Sequence, residues 1–178
     1  TGALPTGGGA YSRPRWEGAP VPHGTISSTR HRLAAWLPDG KRIVAVSDES
    51  GEESLVIFRA DGTEKPIHLK IDIGRPDQLQ PAPAGRDRVA LTNHRQEVLL
   101  VDLEKGSVKK VAHSSHQRIL GLTWSADGRW LAFGMFVTRR NATLQIYNSA
   151  THKLRAVTRP DFVDGFPSFD PESRYLYF

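Results

Sequence analysis

Three groups of residues in this 178-residue chain have types and spacings that suggest chemistry. Ser114-Ser115-His116, with His113 three residues before His116, sets hydroxyls beside imidazoles, as a nucleophile or a zinc ion would require. The stretch "SDESGEE" at 47–53 concentrates carboxylates in the manner of a calcium loop. Arg139-Arg140 puts two guanidinium groups side by side, a pair suited to a carboxylate. Spacing argues against the first two. No G-x-S-x-G elbow is present, and neither Ser114-Ser115-His116 nor Ser27-Ser28 comes with a pattern that gathers Ser, His and an acid. His113 and His116 fall in a polar connection rather than on a helix face. The acidic stretch lacks the alternating ligands and closing Glu of a calcium loop, and a solvated hairpin tip accounts for it. "GTISSTR" and "PTGGG" lack the Lys of a phosphate loop. The sequence therefore predicts no catalytic residue, no metal site and no cofactor in this segment. Arg139 and Arg140 remain as rim candidates for holding a peptide carboxylate or a neighbouring domain. The plainer reading makes them exposed turn residues that keep an edge soluble.

Composition narrows the partners. Lys and Arg number 24 against 19 Asp and Glu, a formal charge of +5. The excess is scattered in pairs such as Arg13 and Arg15, Lys41 and Arg42, and Lys109 and Lys110, with no accompanying aromatic series. That pattern does not make a nucleic-acid stripe. Cysteine is absent, which excludes disulfides and thiolate zinc sites and is compatible with a reducing compartment. No apolar run approaches the roughly 18 residues of a membrane span. Hydrophobic residues make up 38% of the chain, enough for a core if the elements have something to pack against.

The elements that would position any of these groups repeat. "LAAWLPDGKRIVAVS", "GLTWSADGRWLAFG" and "FPSFDPESRYLYF" share one cadence, an aromatic, a turn and a short apolar run. Ile43, Val89, Leu131 and Leu176 occupy equivalent places 46, 42 and 45 residues apart. Trp36, Ala82, Trp124 and Phe169 stand seven residues before them. Arg59, Asp102 and Asn148 mark a following run at intervals of 43 and 46. A period in the forties suits propeller blades or helical repeats, and runs such as "RIVAVS" and "YLYF" are too short and too β-branched or aromatic for helices. Asp39-Gly40 and Asp127-Gly128 serve tight hairpins. The unit at 82–89 shifts its Gly by one place, and Ser173 stands where the other turns have Gly. The aromatic positions are expected to pack rings between neighbouring sheets as core residues.

The expected fold is all-β: a β-propeller of four-stranded antiparallel blades, incomplete, with about three and a half blades of a seven-bladed ring. Residues 1–30 read as a flexible Gly/Pro-rich start, with outer strands of a preceding blade over 10–24. Blades follow at 31–70, 71–114 and 115–160, and 161–178 supplies the first two strands of another. One blade cannot cover both of its faces, so stacking around an axis buries them. Three and a half blades do not close, and the chain reads as part of a larger ring with raw strand edges. Arg139-Arg140 would sit between the second and third strands of the third blade, in the longest such turn.

Residues 11–178 resemble the seven-bladed propeller of the tricorn protease family. The likeness runs through "RILGLTWSADGRWLAFGMFVTRRNATLQIYNSATHKLRAVTRPDFVDGFPSFDPESRYLYF", "RVALTNHRQEVLLVDLEKGSVKKV" and "HRLAAWLPDGKRIVAVSDESGEESLVIFRADG", and "WEGAPVPHG" resembles the blade edge before them. It includes loops such as "NHRQE" and "TRPDF" as well as the generic turn. The resemblance implies a parent that is a hexameric, cytoplasmic serine peptidase trimming oligopeptides downstream of the proteasome or similar proteases. Its catalytic residues would lie in other domains of the same polypeptide. This segment would then gate and channel peptide substrates through a ring without a strong clasp, with no nucleic acid or membrane as partner. The short repeat alone is shared with TolB-like binding propellers and with the propeller caps of prolyl-oligopeptidase-like hydrolases, and both remain alternatives.

Overall fold

The computed structural model describes residues 30–49, 51–83 and 87–178. Every element among them is a strand. The first sheet holds β1 (His31–Trp36), β2 (Arg42–Ser47), β3 (Ser54–Arg59) and β4 (Ile67–His68). The second holds β5 (Pro76–Pro81), β6 (Arg88–Asn93), β7 (Glu97–Asp102) and β8 (Ser107–His113). The third holds β9 (Leu120–Trp124), β10 (Trp130–Phe136), β11 (Ala142–Asn148) and β12 (Leu154–Ala156). A two-stranded sheet of β13 (Ser168–Phe169) and β14 (Leu176–Tyr177) ends the chain. Each four-stranded sheet runs in simple antiparallel order, strand pairing with its sequence neighbour. The expected all-β architecture of four-stranded blades is borne out. The proposed outer strands at 10–24 and the shifted turn at Gly85 lie outside the described residues.

Strand periodicity explains the stacking. In β7, Leu99 and Val101 point to one face while Val98 and Leu100 point to the other, as successive residues of a strand must. The first pair joins Val44, Val46, Leu55 and Ile57 in a core between the first and second sheets. The second pair joins Leu122, Leu131, Phe133 and Tyr147 in a core between the second and third. A run such as "EVLLVD", apolar without alternation, has a low free energy only when both faces are covered. Inner strands approach one another in series, β1 to β5, β5 to β9 and β9 to β13, which sets the sheets radially.

The repeat positions are register positions. Trp36 pairs with Ile43, Trp124 with Leu131 and Phe169 with Leu176. In the second sheet Val89 pairs with Pro81 instead of Ala82, one residue off the expected partner. Arg59, Asp102 and Asn148 likewise share one place, each facing the residue before the anchor. Ser173 takes the left-handed conformation of the equivalent Gly40 and Gly128, with φ of 55° against 65° in both glycines. That conformation costs a residue with a Cβ roughly 1 kcal/mol.

Two sequence expectations need correction. Trp124 is half-buried and donates its indole N–H to the Gln80 carbonyl at 3.1 Å, tying the third sheet to the second. Trp36 holds the same place in the first sheet but is 58% exposed, because no described sheet lies on that side of it. It is not a core ring among the described residues. The turn carrying Arg139 and Arg140 spans 137–141, whereas the matching turn of the first sheet spans 48–53 and is longer.

Candidate functional site

Each sheet has two ends, and their charges are used differently. One end carries the turns from first to second strand and from third to fourth. There, every described arginine has a partner. Arg42 binds Asp87 of the next sheet through two bonds of 2.8 and 2.7 Å and also binds Asp39. Arg59 pairs with Asp61, Arg88 with Asp102 and Arg174 with Glu172. Arg129 and Arg155 lie over the Trp130 ring at 5.5 and 5.9 Å. Hydrogen bonds from the Lys41 amide and the Arg42 side chain hold the Asp39 carboxyl down at about 2.

The other end, the rim, carries the turns from second to third strand and the links between sheets. Between the first and second sheets it opens into a crevice of about 600 Å³ lined by Arg30, Glu52, Glu53, Asp72, Arg75 and His94, among others. Most of its charge is internally matched. Arg32 makes a two-pronged bond to Glu53, and Arg95 another to Asp72 at 2.9 and 2.7 Å. Arg95 also reaches Glu97 at 3.2 Å, and Lys110 reaches the same carboxylate at 2.5 Å. Asn93 completes the set with a donation to Glu97 at 2.9 Å. Burial alone pushes the Glu97 carboxyl up. Bonds from Asn93 and Lys110 and the charges of Lys110 and Arg95 outweigh it, leaving Glu97 below its ordinary range. The Arg95 side chain, helped by the Gly74 amide, holds Asp72 down at about 2. The sequence reading missed this network. Its one visible signal was a lone Glu opening the apolar run "EVLLVD".

The rim of the third sheet is built otherwise. Its turn closes on itself: Val137 and Thr138 donate their amides to the Asn141 carbonyl, and Thr138 Oγ1 accepts from the Arg140 and Asn141 amides. The backbone needs nothing from the Arg139 and Arg140 side chains, which are exposed and have no partner among the described residues. Ser114 is buried and structural. Its hydroxyl donates to the Phe136 carbonyl at 3.2 Å and accepts from the His116 and Gln117 amides. His116 is exposed, so these residues assemble no nucleophile. Gln117 then donates to the Arg139 carbonyl at 2.7 Å, which ties the link that carries Arg118 to the tip. No metal-holding group of His, Asp and Glu exists among the described residues, and Ser27-Ser28 lies outside them.

With this radial set of blades in view, relatives become decisive. Residues 3–178 match the description of the tricorn protease second beta propeller domain. The chain belongs to that family. Tricorn-propeller relatives among known proteins include a "Tricorn protease homolog" of Saccharolobus solfataricus, 28% identical over 99% of this chain and 16% of its own length. "Tricorn protease homolog 1" of Streptomyces coelicolor is 30% identical over 84% of this chain and 14% of its own. The crystal structure of the tricorn protease superposes with a TM-score of 0.75 at 21% identity, covering 83% of this chain and 15% of that one. TolB from Acinetobacter baumannii superposes at 0.59 and 21% identity, over 81% of this chain and 36% of its own, a likeness of fold alone. The tricorn propeller described here thus spans about one-sixth of the length of its curated relatives. No helix among its described residues is long and apolar enough to cross a membrane.

Proposed function

We propose that this propeller segment gates and channels peptides toward an active site elsewhere in a tricorn-like serine protease. The parent would hydrolyse oligopeptides in the cytoplasm, downstream of larger proteases, as a homo-oligomer. The observation that carries the reading is the family match from residue 3 to residue 178, to relatives named as proteases. The geometry supports it in one respect: β1, β5, β9 and β13 neighbour one another in series, as the strands of a channel wall would. Ala34, Asp77 and Gln80 are exposed positions on those inner strands, small or polar as a weakly adhesive wall requires.

The test is made on the full-length parent. Hydrolysis of oligopeptides should be abolished by a serine-reactive phosphonate. Ala34→Trp with Asp77→Trp should slow cleavage of long unfolded peptides several-fold while leaving short fluorogenic peptides unchanged. Equal slowing of both lengths, or of neither, would remove the channel role. Peptide binding without any hydrolysis would favour a TolB-like interaction propeller instead.

A further inference from the structure

The rim of the third sheet gathers more cation than the repeat needs. Arg118 follows Gln117, which is bonded to the turn, and Arg139 and Arg140 form the tip itself. The segment after β12 folds back along the start of β11. Leu144 donates to Thr158 Oγ1 at 3.0 Å, Ala142 donates to the Phe162 carbonyl at 3.0 Å, and Asp164 donates to the Ala142 carbonyl at 3.1 Å. A parallel bridge joins Ala142 and Val163. Arg159 and Phe162 are thereby carried to the same rim. Four guanidinium groups without a side-chain partner among the described residues thus stand against the two nearby carboxylates of Asp161 and Asp164. Phe162 is 75% exposed and Val163 is 54% exposed, so the charge borders an apolar patch.

Such an arrangement is unlike the crevice between the first and second sheets, where Arg32 and Arg95 are bound to acids of the chain itself. Arginine forks left open beside an aromatic ring fit an acidic polypeptide that also offers an apolar side chain. We propose that the rim formed by Arg118, Arg139, Arg140, Arg159 and Phe162 is a docking surface for an extended acidic protein segment. The guanidinium groups take its carboxylates, and Phe162 with Val163 takes an apolar side chain between them. This does not depend on the peptidase reading, since capture at the rim needs no hydrolysis.

The experiment is fluorescence anisotropy with the full-length parent protein and three labelled probes: a peptide alternating Glu and Leu, its Gln-for-Glu analogue, and an oligothymidine. The Glu peptide should bind, more weakly as salt rises, and the Gln analogue should bind at least about tenfold more weakly. The double variant Arg139→Glu with Arg140→Glu should lose the Glu peptide by a similar factor. Lys at both positions, which keeps the charge without the fork, should keep part of the affinity, and Phe162→Ala should weaken it several-fold. Neither arginine side chain supports the turn, so the thermal midpoint should be unmoved and loss of binding would not reflect unfolding. Equal affinity for the Glu and Gln peptides, binding of the oligothymidine alone, or an unaffected double Glu variant would each overturn the proposal.

Discussion

The rims of the first and third sheets occupy the same place in the repeat, yet one matches most of its charges internally and the other leaves its arginines open. In the first, the long turn at 48–53 supplies acids that are taken up by the chain. Arg30 donates its amide to Asp48 at 2.7 Å, Arg32 binds Glu53, and Glu49 meets His68 at 3.4 Å. Across the crevice, Arg95 spans Asp72 and Glu97. In the third, the shorter turn satisfies its own backbone through Thr138 and Asn141 and leaves its arginines to solvent. Matched charges fasten adjoining pieces of backbone; unmatched charges are free for a partner. Substitutions should therefore separate stability from binding along this line.

The largest effect is expected at Glu97. It is 7% exposed, and its carboxylate gathers Arg95, Lys110 and Asn93. Glu97→Ala leaves Asn93 without its acceptor and two half-exposed cations without their shared carboxylate, which costs about 1–3 kcal/mol. Urea unfolding of the parent should show the transition of this propeller shifted by that amount. Glu97→Gln should recover part of the loss, because it keeps one acceptor for Asn93 or Lys110. A shift below about 0.5 kcal/mol for the Ala variant would mean that the network is incidental.

A pH titration sharpens the same contrast. Asp72 titrates at 3.8 when unperturbed and is held at about 2 in the folded chain, while Glu97 is lowered from 4.5. Folding therefore favours the charged carboxylates. Their contribution is fully present above the unfolded values and is lost as pH falls through them toward the folded ones. Between pH 4.5 and about 2 the crevice between the first and second sheets should lose part of its stabilisation, read as a falling thermal midpoint. In Glu97→Gln the same descent should be shallower.

These differences also mark where sequence stops being informative. The blades were legible because the repeat fixes register: Trp36, Trp124 and Phe169 face the anchors seven residues on, and Asp-Gly turns leave little freedom between them. Arg139-Arg140 was legible as a tip, since a polar break between two apolar runs is a turn. Its companions were not. Arg118 and Arg159 lie 41 residues apart in the chain and share one end of the sheet only because Gln117 and the fold-back at 157–164 bring two links between sheets there. Asp72 and Arg95 likewise belong to different parts of the repeat. Trp36 misled for a related reason: a repeat gives a residue its place in a sheet but not the neighbour that covers it.

The smallest stability effect should come from the third rim itself. Arg139→Ala with Arg140→Ala removes two exposed side chains that bind nothing within the described chain, so the unfolding free energy should move by no more than about 0.5 kcal/mol. Arg32→Ala in the first rim breaks a half-exposed pair with Glu53 and should cost up to about 1 kcal/mol. The ordering of the two variants matters more than either figure. A third-rim variant that destabilised more than the first-rim one would show that Arg139 and Arg140 have partners within the folded parent. The open charge on which the docking proposal rests would then be part of the architecture.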